Sequence, residues 1–279
     1  MTLLCRVMDV SRSGYYSFIK RPKSAKGVYT NQLLIEVKAL SKESRNSYGS
    51  RMMSKRLQAK GYAVGRYAAR SLMRQADIFC KQRRRYRVTT RSHHDLPVAD
   101  NVLNRQFTAT EPNQIWLTDI TYLWTQEGWL YCAAVLDVFS RCIVGWAIDY
   151  HMREELVQNA LQMALGRRQP KEGLLHHSDR GVQYASKHYQ SALKNAGCIV
   201  SMSRKGNCWD NAVMERFWGS LKSERTYGKI YFTREQAKSD VIEYIEMFYN
   251  NIRPHSTLEY LSPVQFENKF LLKNLSVFT

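Results

Sequence analysis

Two hydrophobic periods run along the chain, and one gives way to the other near residue 113. Upstream, apolar positions recur at the spacing of one helix face. Between Tyr48 and Lys60, Met53 and Leu57 lie four apart, and Gly61 follows as a helix stop. From Arg66 to Ala76, the residues Ala68, Ala69, Leu72, Met73 and Ala76 fall at helical spacing, while Arg66, Arg70 and Arg74 form an i, i+4, i+8 stripe on another face. Two short helices separated by Gly61–Gly65 predict a helix-turn-helix whose second helix can enter a major groove. Downstream, runs rich in Trp, Tyr, Val and Ile predict strands over Gln114–Leu123, Trp129–Val138 and Cys142–Asp149, an antiparallel meander. An amphipathic helix follows over Arg153–Arg167, with Leu156, Ala160, Met163 and Ala164 on its apolar face. Then come a buried-type strand Leu174–His177, a helix Ser186–Asn195, a strand Ile199–Met202 and a longer helix Trp209–Arg225. The pattern predicts a mixed α/β unit behind an all-α one.

Composition supports folded units. The 279 residues are 44% hydrophobic and 12% aromatic, enough for a proper core, which excludes disorder throughout. The formal net charge is +18, and it is unevenly placed: residues 1–110 hold 23 Lys+Arg against 6 Asp+Glu, residues 111–279 hold 19 against 18. A basic half joined to a nearly neutral one is the layout of a module that grips a polyanion attached to a separate working domain. The tract Lys81–Arg91 adds Arg83, Arg84, Arg85, Arg87 and Arg91. Solubility or an acidic membrane surface are the competing readings of the charge, and a solvated helical hairpin is that of the arginine stripe. The divisions expected are an N-terminal helical segment (1–27), a helix-turn-helix-like DNA-binding region (28–80), a basic linker (81–112) and a core (113–275). The longest run without a charged side chain, Leu156–Gly166, is eleven residues, well short of the roughly 20 that span a membrane. Arg6 and Asp9 interrupt what would be the apolar part of a signal peptide, so a cytoplasmic location is expected. The six cysteines show no metal-type spacing and read as reduced thiols.

Three antiparallel strands followed by alternating helices and strands is the order of an RNase H-like fold, a platform for carboxylates. Three acids stand out. Asp119 interrupts an otherwise β-forming run, where a charge is costly unless something binds it. Asp179 directly follows the buried strand, at the strand end where α/β sheets carry their sites. Glu215 lies on the long helix, with thirty-five residues between it and Asp179. Asn211 stands one turn before Glu215, and Lys222 two turns after it, on the same face. Asp137, just before a turn, reads as a structural cap; Trp116, Trp129 and Trp146 read as core. His176 and His177 read equally as core residues or as supports for Asp179.

The pattern Asp, Asp, thirty-five residues, Glu resembles the signature of the integrase and transposase superfamily. Around it stand Asp119-Ile-Thr-Tyr, His177-Ser-Asp-Arg-Gly, Ser203-Arg-Lys-Gly-Asn-Cys-Trp-Asp-Asn-Ala-Val-Met-Glu and Tyr249-Asn-Asn-Ile-Arg-Pro-His-Ser-Thr-Leu. Together these closely resemble the OrfB product of the IS-three family of bacterial insertion sequences, essentially over the whole chain and most strongly from Pro112 to Glu267. Tyr48-Gly49-Ser50-Arg51 and Leu72-Met73-Arg74 resemble it more weakly. The resemblance implies an RNase H-like integrase core behind the helix-turn-helix, and a transposase that cleaves element ends and transfers the strand by a two-metal DDE mechanism. It implies two Mg²⁺ ions, with Mn²⁺ able to substitute, held by Asp119 as bridging ligand, Asp179 on one ion and Glu215 on the other. It implies DNA contact by Lys222; the helix phase adds Asn211, toward a metal ligand or DNA, and the basic helix-turn-helix and tract add Arg51, Arg66, Arg70, Arg74, Arg84 and Arg85. The partners implied are double-stranded DNA of the terminal inverted repeats and target, a homo-oligomer on that DNA, and no membrane, in a bacterial nucleoid. Arg253-Pro254-His255 matches a family motif without revealing its job.

In that family this frame is usually joined to an upstream frame, and the abrupt apolar start at Leu3 fits the end of a longer module. The upstream-frame product is therefore an expected partner, and weak end binding by this chain alone is the expectation. Two other functions compete: a nuclease or phage integrase on the same fold, and a non-catalytic DNA-binding regulator derived from a decayed element.

Overall fold

A computed structural model of the chain describes residues 2–22, 24–80, 98–204 and 208–275. The chain forms two compact units that divide after Cys80. The first is helical: α1 (Thr2–Val7), α2 (Arg12–Lys20), α3 (Ala25–Glu43), α4 (Ser50–Ala59) and α5 (Arg66–Gln75). Ser11 and Ser24 cap α2 and α3 by accepting from the backbone N–H three residues on. Leu33, Val37 and Leu40 of α3, Met53 and Leu57 of α4, and Ala69, Leu72 and Met73 of α5 are all buried and form the core. Ion pairs Arg56–Glu43 at 2.9 Å and Lys60–Glu36 at 2.6 Å fasten α4 to α3. The turn from α4 to α5 passes through Gly61 at φ +87°, and Ser54 donates to the Val64 carbonyl at 2.7 Å to pin it. The helix-turn-helix thus has its expected parts. The division expected between residues 27 and 28, however, falls inside α3.

The second unit is built on five strands: β1 (Ile115–Thr125), β2 (Gly128–Asp137), β3 (Ile143–Asp149), β4 (Leu175–Ser178) and β5 (Ile199–Met202). Their order is β3-β2-β1-β4-β5; β1, β2 and β3 are antiparallel neighbours, while β4 and β5 run parallel to β1. This is the RNase H-like arrangement the pattern predicts. Trp116 of β1, Ala133 and Val135 of β2 and Val144 of β3 pack with Leu156, Val157, Ala160, Leu161 and Ala164 of α6 (Glu154–Arg168) and with Tyr189 and Leu193 of α7 (Lys187–Asn195). Gly145 lets α6 lie directly on β3, because a Cβ there would stand 2.2 Å from the Ala160 carbonyl oxygen. Side chains alternate along β1, so with Trp116 facing α6 the Asp119 position faces the other way. That other face carries α8 (Ala212–Leu221) and α9 (Arg234–Ile242) against β1 and β2, and α10 (Pro263–Leu275) ends the unit.

Three features differ from the sequence expectations. The long helix expected over Trp209–Arg225 is broken into a 3₁₀ turn (Cys208–Asn211), α8 and a π-helical turn (Lys222–Thr226). The last part of the expected linker is part of the core unit: Leu103 is 1% exposed and its N–H donates to Ser201 at 3.1 Å. Trp129 is not core but 43% exposed, since it sits at the turn end of the β1–β2 hairpin opposite Trp124. Trp116 is fully buried, and Trp146 is half-buried and donates to Glu246 at 2.6 Å. Cys5, Cys80, Cys132, Cys142 and Cys198 are free thiols. Among the described residues no helix is long and apolar enough to cross a membrane.

Candidate active site

Strand register brings the two aspartates together. In the parallel ladder β1 pairs with β4 as Ile115 with Leu175, Trp116 with His176 and Leu117 with His177, each partner sixty positions on. Asp179 is also sixty positions beyond Asp119. The two acids therefore stand at one level just past the end of the ladder, Asp119 within β1 and Asp179 at the residue following β4, close enough for the Asp179 charge to act on Asp119. The Asp179 carboxylate is oriented by the Gly181 N–H, which donates to its Oδ1 at 2.9 Å.

The third acid comes from α8, which is tied to β1 at Thr118 and at Asp119 itself. Asn211 donates from Nδ2 to the Thr118 carbonyl at 3.2 Å, and the Trp218 indole N–H donates to Asp119 Oδ2 at 3.1 Å. Glu215 lies four residues after Asn211 and three before Trp218, within the same helical stripe. Lys222 continues the stripe at the π-helical turn, with Nζ 5.1 Å from the centroid of the Tyr122 ring. Asn211 is thus a tether to β1, 6% exposed and turned into the fold.

Electrostatics register the convergence. Burial and the neighbouring Asp179 push the Asp119 carboxyl well above the usual range, and Glu215 adds to the push, against hydrogen bonds from Ile120 and Trp218. Partial desolvation raises Glu215 as well. Burial lowers Lys222, while the Asp119 charge works in the opposite direction. Three carboxylates are hard oxygen donors of the kind that hold Mg²⁺, and their mutual repulsion is relieved by a cation. Among the described residues no three His, Cys, Asp or Glu side chains already form a metal-holding group. The donor set fits a divalent ion in kind, as an open site rather than a closed cage.

A supporting layer escaped the sequence reading. Asp210 is fully buried and accepts from Arg105 Nε at 2.9 Å, from the Arg204 backbone N–H at 2.9 Å and from its side chain at 3.1 Å, and from Asn101 at 2.9 Å. Burial alone would raise its pKa, but Arg204 and Arg105 outweigh it and hold the carboxyl well below the usual range. It anchors the approach to α8. The Arg253 segment anchors the other end: Arg253 grips Glu224 of the π-helical turn from Nε at 2.8 Å and from Nη2 at 2.7 Å, and also bonds Ser220 and His255. This is the job of the Arg253-Pro254-His255 segment. His177 bonds Ser201 at 2.8 Å and Ser203 at 3.2 Å, and His176 bonds Tyr189 at 3.2 Å, so both are core histidines that hold β4. Asp137 caps its turn by accepting from Ser140 N–H at 3.0 Å and Asn113 N–H at 2.6 Å.

In the helical unit Arg66, Arg70 and Arg74 are exposed along α5, and Arg51 is exposed at the start of α4. Arg84 and Arg85 lie outside the described residues.

An RNase H-like sheet with two aspartates at one register and a glutamate on the helix tied beside them defines an integrase-type core. Family comparisons agree: the integrase core domain matches residues 109–208 and, in a second model, 215–271, and an HTH-like domain matches residues 29–86. The uncharacterized 31 kDa protein of insertion element IS600 from Shigella sonnei is 45% identical over 96% of this chain and 98% of its own length. Transposase InsF of insertion sequence IS3A from Escherichia coli strain K12 is 40% identical over 96% of this chain and 94% of its own. The catalytic core domain of HTLV-2 integrase in complex with magnesium is 15% identical, covering 57% of this chain and 99% of that one at a TM-score of 0.44, a likeness too loose to bear on function. The chain belongs to the IS3 family of insertion-sequence transposases, enzymes of the polynucleotidyl transferase class.

Proposed function

We propose that this transposase cuts DNA at the ends of its own insertion sequence and joins the freed 3′-hydroxyl to a second DNA site, with Asp119, Asp179 and Glu215 holding two magnesium ions for which manganese can substitute. The observation that carries the reading is the shared register of Asp119 and Asp179 beside a helix whose Glu215 raises the same Asp119 carboxyl. Bound there, the cations supply Lewis acidity toward the attacking and leaving oxygens of an in-line displacement. Trp218 holds one Asp119 oxygen and Gly181 one Asp179 oxygen, so both carboxylates are oriented before any ligand arrives. Lys222 meets a phosphate of the terminal DNA. In the first step a water oxygen bonds to phosphorus, the bond from phosphorus to the 3′-oxygen breaks, and that oxygen takes a proton. In the second the 3′-hydroxyl loses its proton and replaces another 3′-oxygen at phosphorus, so one phosphodiester is exchanged for another and no external energy source is required.

The exposed arginines Arg66, Arg70, Arg74 and Arg51 grip the duplex of the terminal repeats. Two ends are brought together by at least two copies, aided by the product of the upstream frame. The test is cleavage of labelled terminal-repeat duplex in magnesium. Wild type is expected to cut, and Asp179→Asn to bind equally but cut more than about a hundredfold more slowly, beyond the 10–100-fold typical of supporting residues. Equal cutting by both sinks the carboxylate assignment; tight binding by wild type without any cutting favours the regulator.

A further inference from the structure

Past the residues of β1 that pair with β4, the strand borders a cavity of about 500 Å³. Its lining includes Tyr122 and Trp124 of β1, Tyr227, Ile230 and Tyr231 of the segment after the π-helical turn, and Lys222 of the turn itself. That volume lies within the roughly 300–1,000 Å³ of small-molecule sites. Trp124 is 59% exposed and Ile230 73%, so a large apolar surface faces water. The aromatic wall is braced: Trp129 meets Trp124 edge to face at 4.8 Å between centroids, and Tyr122 at 5.1 Å. Lys222 links this cavity to the carboxylates, standing over the Tyr122 ring and within the field of Asp119. The matching occupant has a flat π face and is joined to an anion that reaches Lys222, which is a nucleoside with its phosphate.

We propose that this cavity receives one nucleobase unstacked from the end of the bound DNA, next to the bond to be cut, with Lys222 on the phosphate that connects it to the active site. The proposal rests on the DNA-cutting role above, which it deepens. Unstacking is least costly for a base that is already mispaired, and aromatic stacking recovers part of the cost. The experiment uses the full chain and terminal-repeat duplexes carrying one mismatch, placed in turn at each base pair flanking the cut. Binding is read without divalent ion and cutting with magnesium.

A mismatch at one position is expected to tighten wild-type binding at least about fivefold and to speed cutting, as is Asp179→Asn binding. Trp124→Ala is expected to bind the paired duplex at least about fivefold more weakly and to lose the positional preference, and Trp124→Phe to restore most of both. Ile230→Ser, at an exposed position, provides a second variant that leaves the fold intact and weakens the preference. Uniform mismatch effects together with normal cutting overturn the nucleobase site alone. A positional preference without any cutting upholds the site and overturns the enzymatic role. Absence of both overturns both.

Discussion

Trp218 controls how Asp119 is presented, because its indole N–H holds one of the two oxygens of a carboxyl that also feels Asp179. Trp218→Phe keeps a ring beside Phe217, 4.6 Å away between centroids, and removes the donor together with part of the indole's volume. Cutting is expected to fall roughly 10–100-fold, the range for groups that orient a metal ligand, at temperatures where the variant is still fully folded. A loss confined to stability would show that the bond matters only for packing. Gly145 sets a different limit. A Cβ 2.2 Å from the Ala160 oxygen cannot be accommodated without moving α6, so Gly145→Ala is expected to cost about 1–3 kcal/mol in denaturant unfolding. Trp129 illustrates where single residues mislead: a tryptophan in a strand reads as core, yet its place near the hairpin end leaves it 43% exposed.

At the level of helices and strands, α8 works because both of its ends are fixed. Asp210 fixes the approach and Arg253 the exit, where Arg253 and Glu224 are both 14% exposed at the side chain. Arg253→Ala leaves a largely buried carboxylate without its partner and is expected to cost about 3–5 kcal/mol in unfolding experiments. Adding Glu224→Gln should recover a good part of that loss, and a double variant no better than the single one would dismiss the pair as the cause. In the helical unit, each arginine of α5 that neutralises a phosphate contributes about 0.9 to the slope of log K against log salt. Arg70→Ala is therefore expected to lower that slope by about one while leaving magnesium dependence alone; an unchanged slope removes Arg70 from the DNA surface. Helix α3 was legible and passed over: Leu33, Val37 and Leu40 have helical spacing behind the cap Ser24. The broken run around α8 was not legible, because its breaks are held by distant partners, Asp210 by Arg105 and Glu224 by Arg253.

For the molecule as a whole, pH acts on stability through buried groups of the scaffold, among them His176 and His177 on β4 just before Asp179. Histidine in an unfolded chain takes up a proton near the ordinary 6.5, but burial pushes His177 down to about 4 and His176 to about 3. The folded state thus binds fewer protons than the unfolded one below about 6.5, and stability falls with falling pH from there through about 4. The slope is at most about 1.4 kcal/mol per pH unit for each histidine. Asp210, held below the usual range, adds a loss at still lower pH. Melting followed from pH 7.5 to 4 is expected to show this decline, flattened in His177→Asn; an identical profile for that variant would exclude His177 as its source.

The chain's local patterns carried the helix-turn-helix, the succession of strands and helices, the charge division and the choice of Asp119, Asp179 and Glu215 as candidates, because periodicity and spacing are properties of neighbours in sequence. Pairing across the sheet decided the rest. The sixty-residue register joins the two aspartates, the tethers from Asn211 and Trp218 set Glu215 beside them, and Asp210 and Arg253 are positioned by partners up to 109 residues away. Asn211 has the helical phase of a DNA contact but faces inward, because the strand across from it offers the Thr118 carbonyl. A residue's own neighbours set which side of an element it lies on; only the element packed against that side sets what it meets.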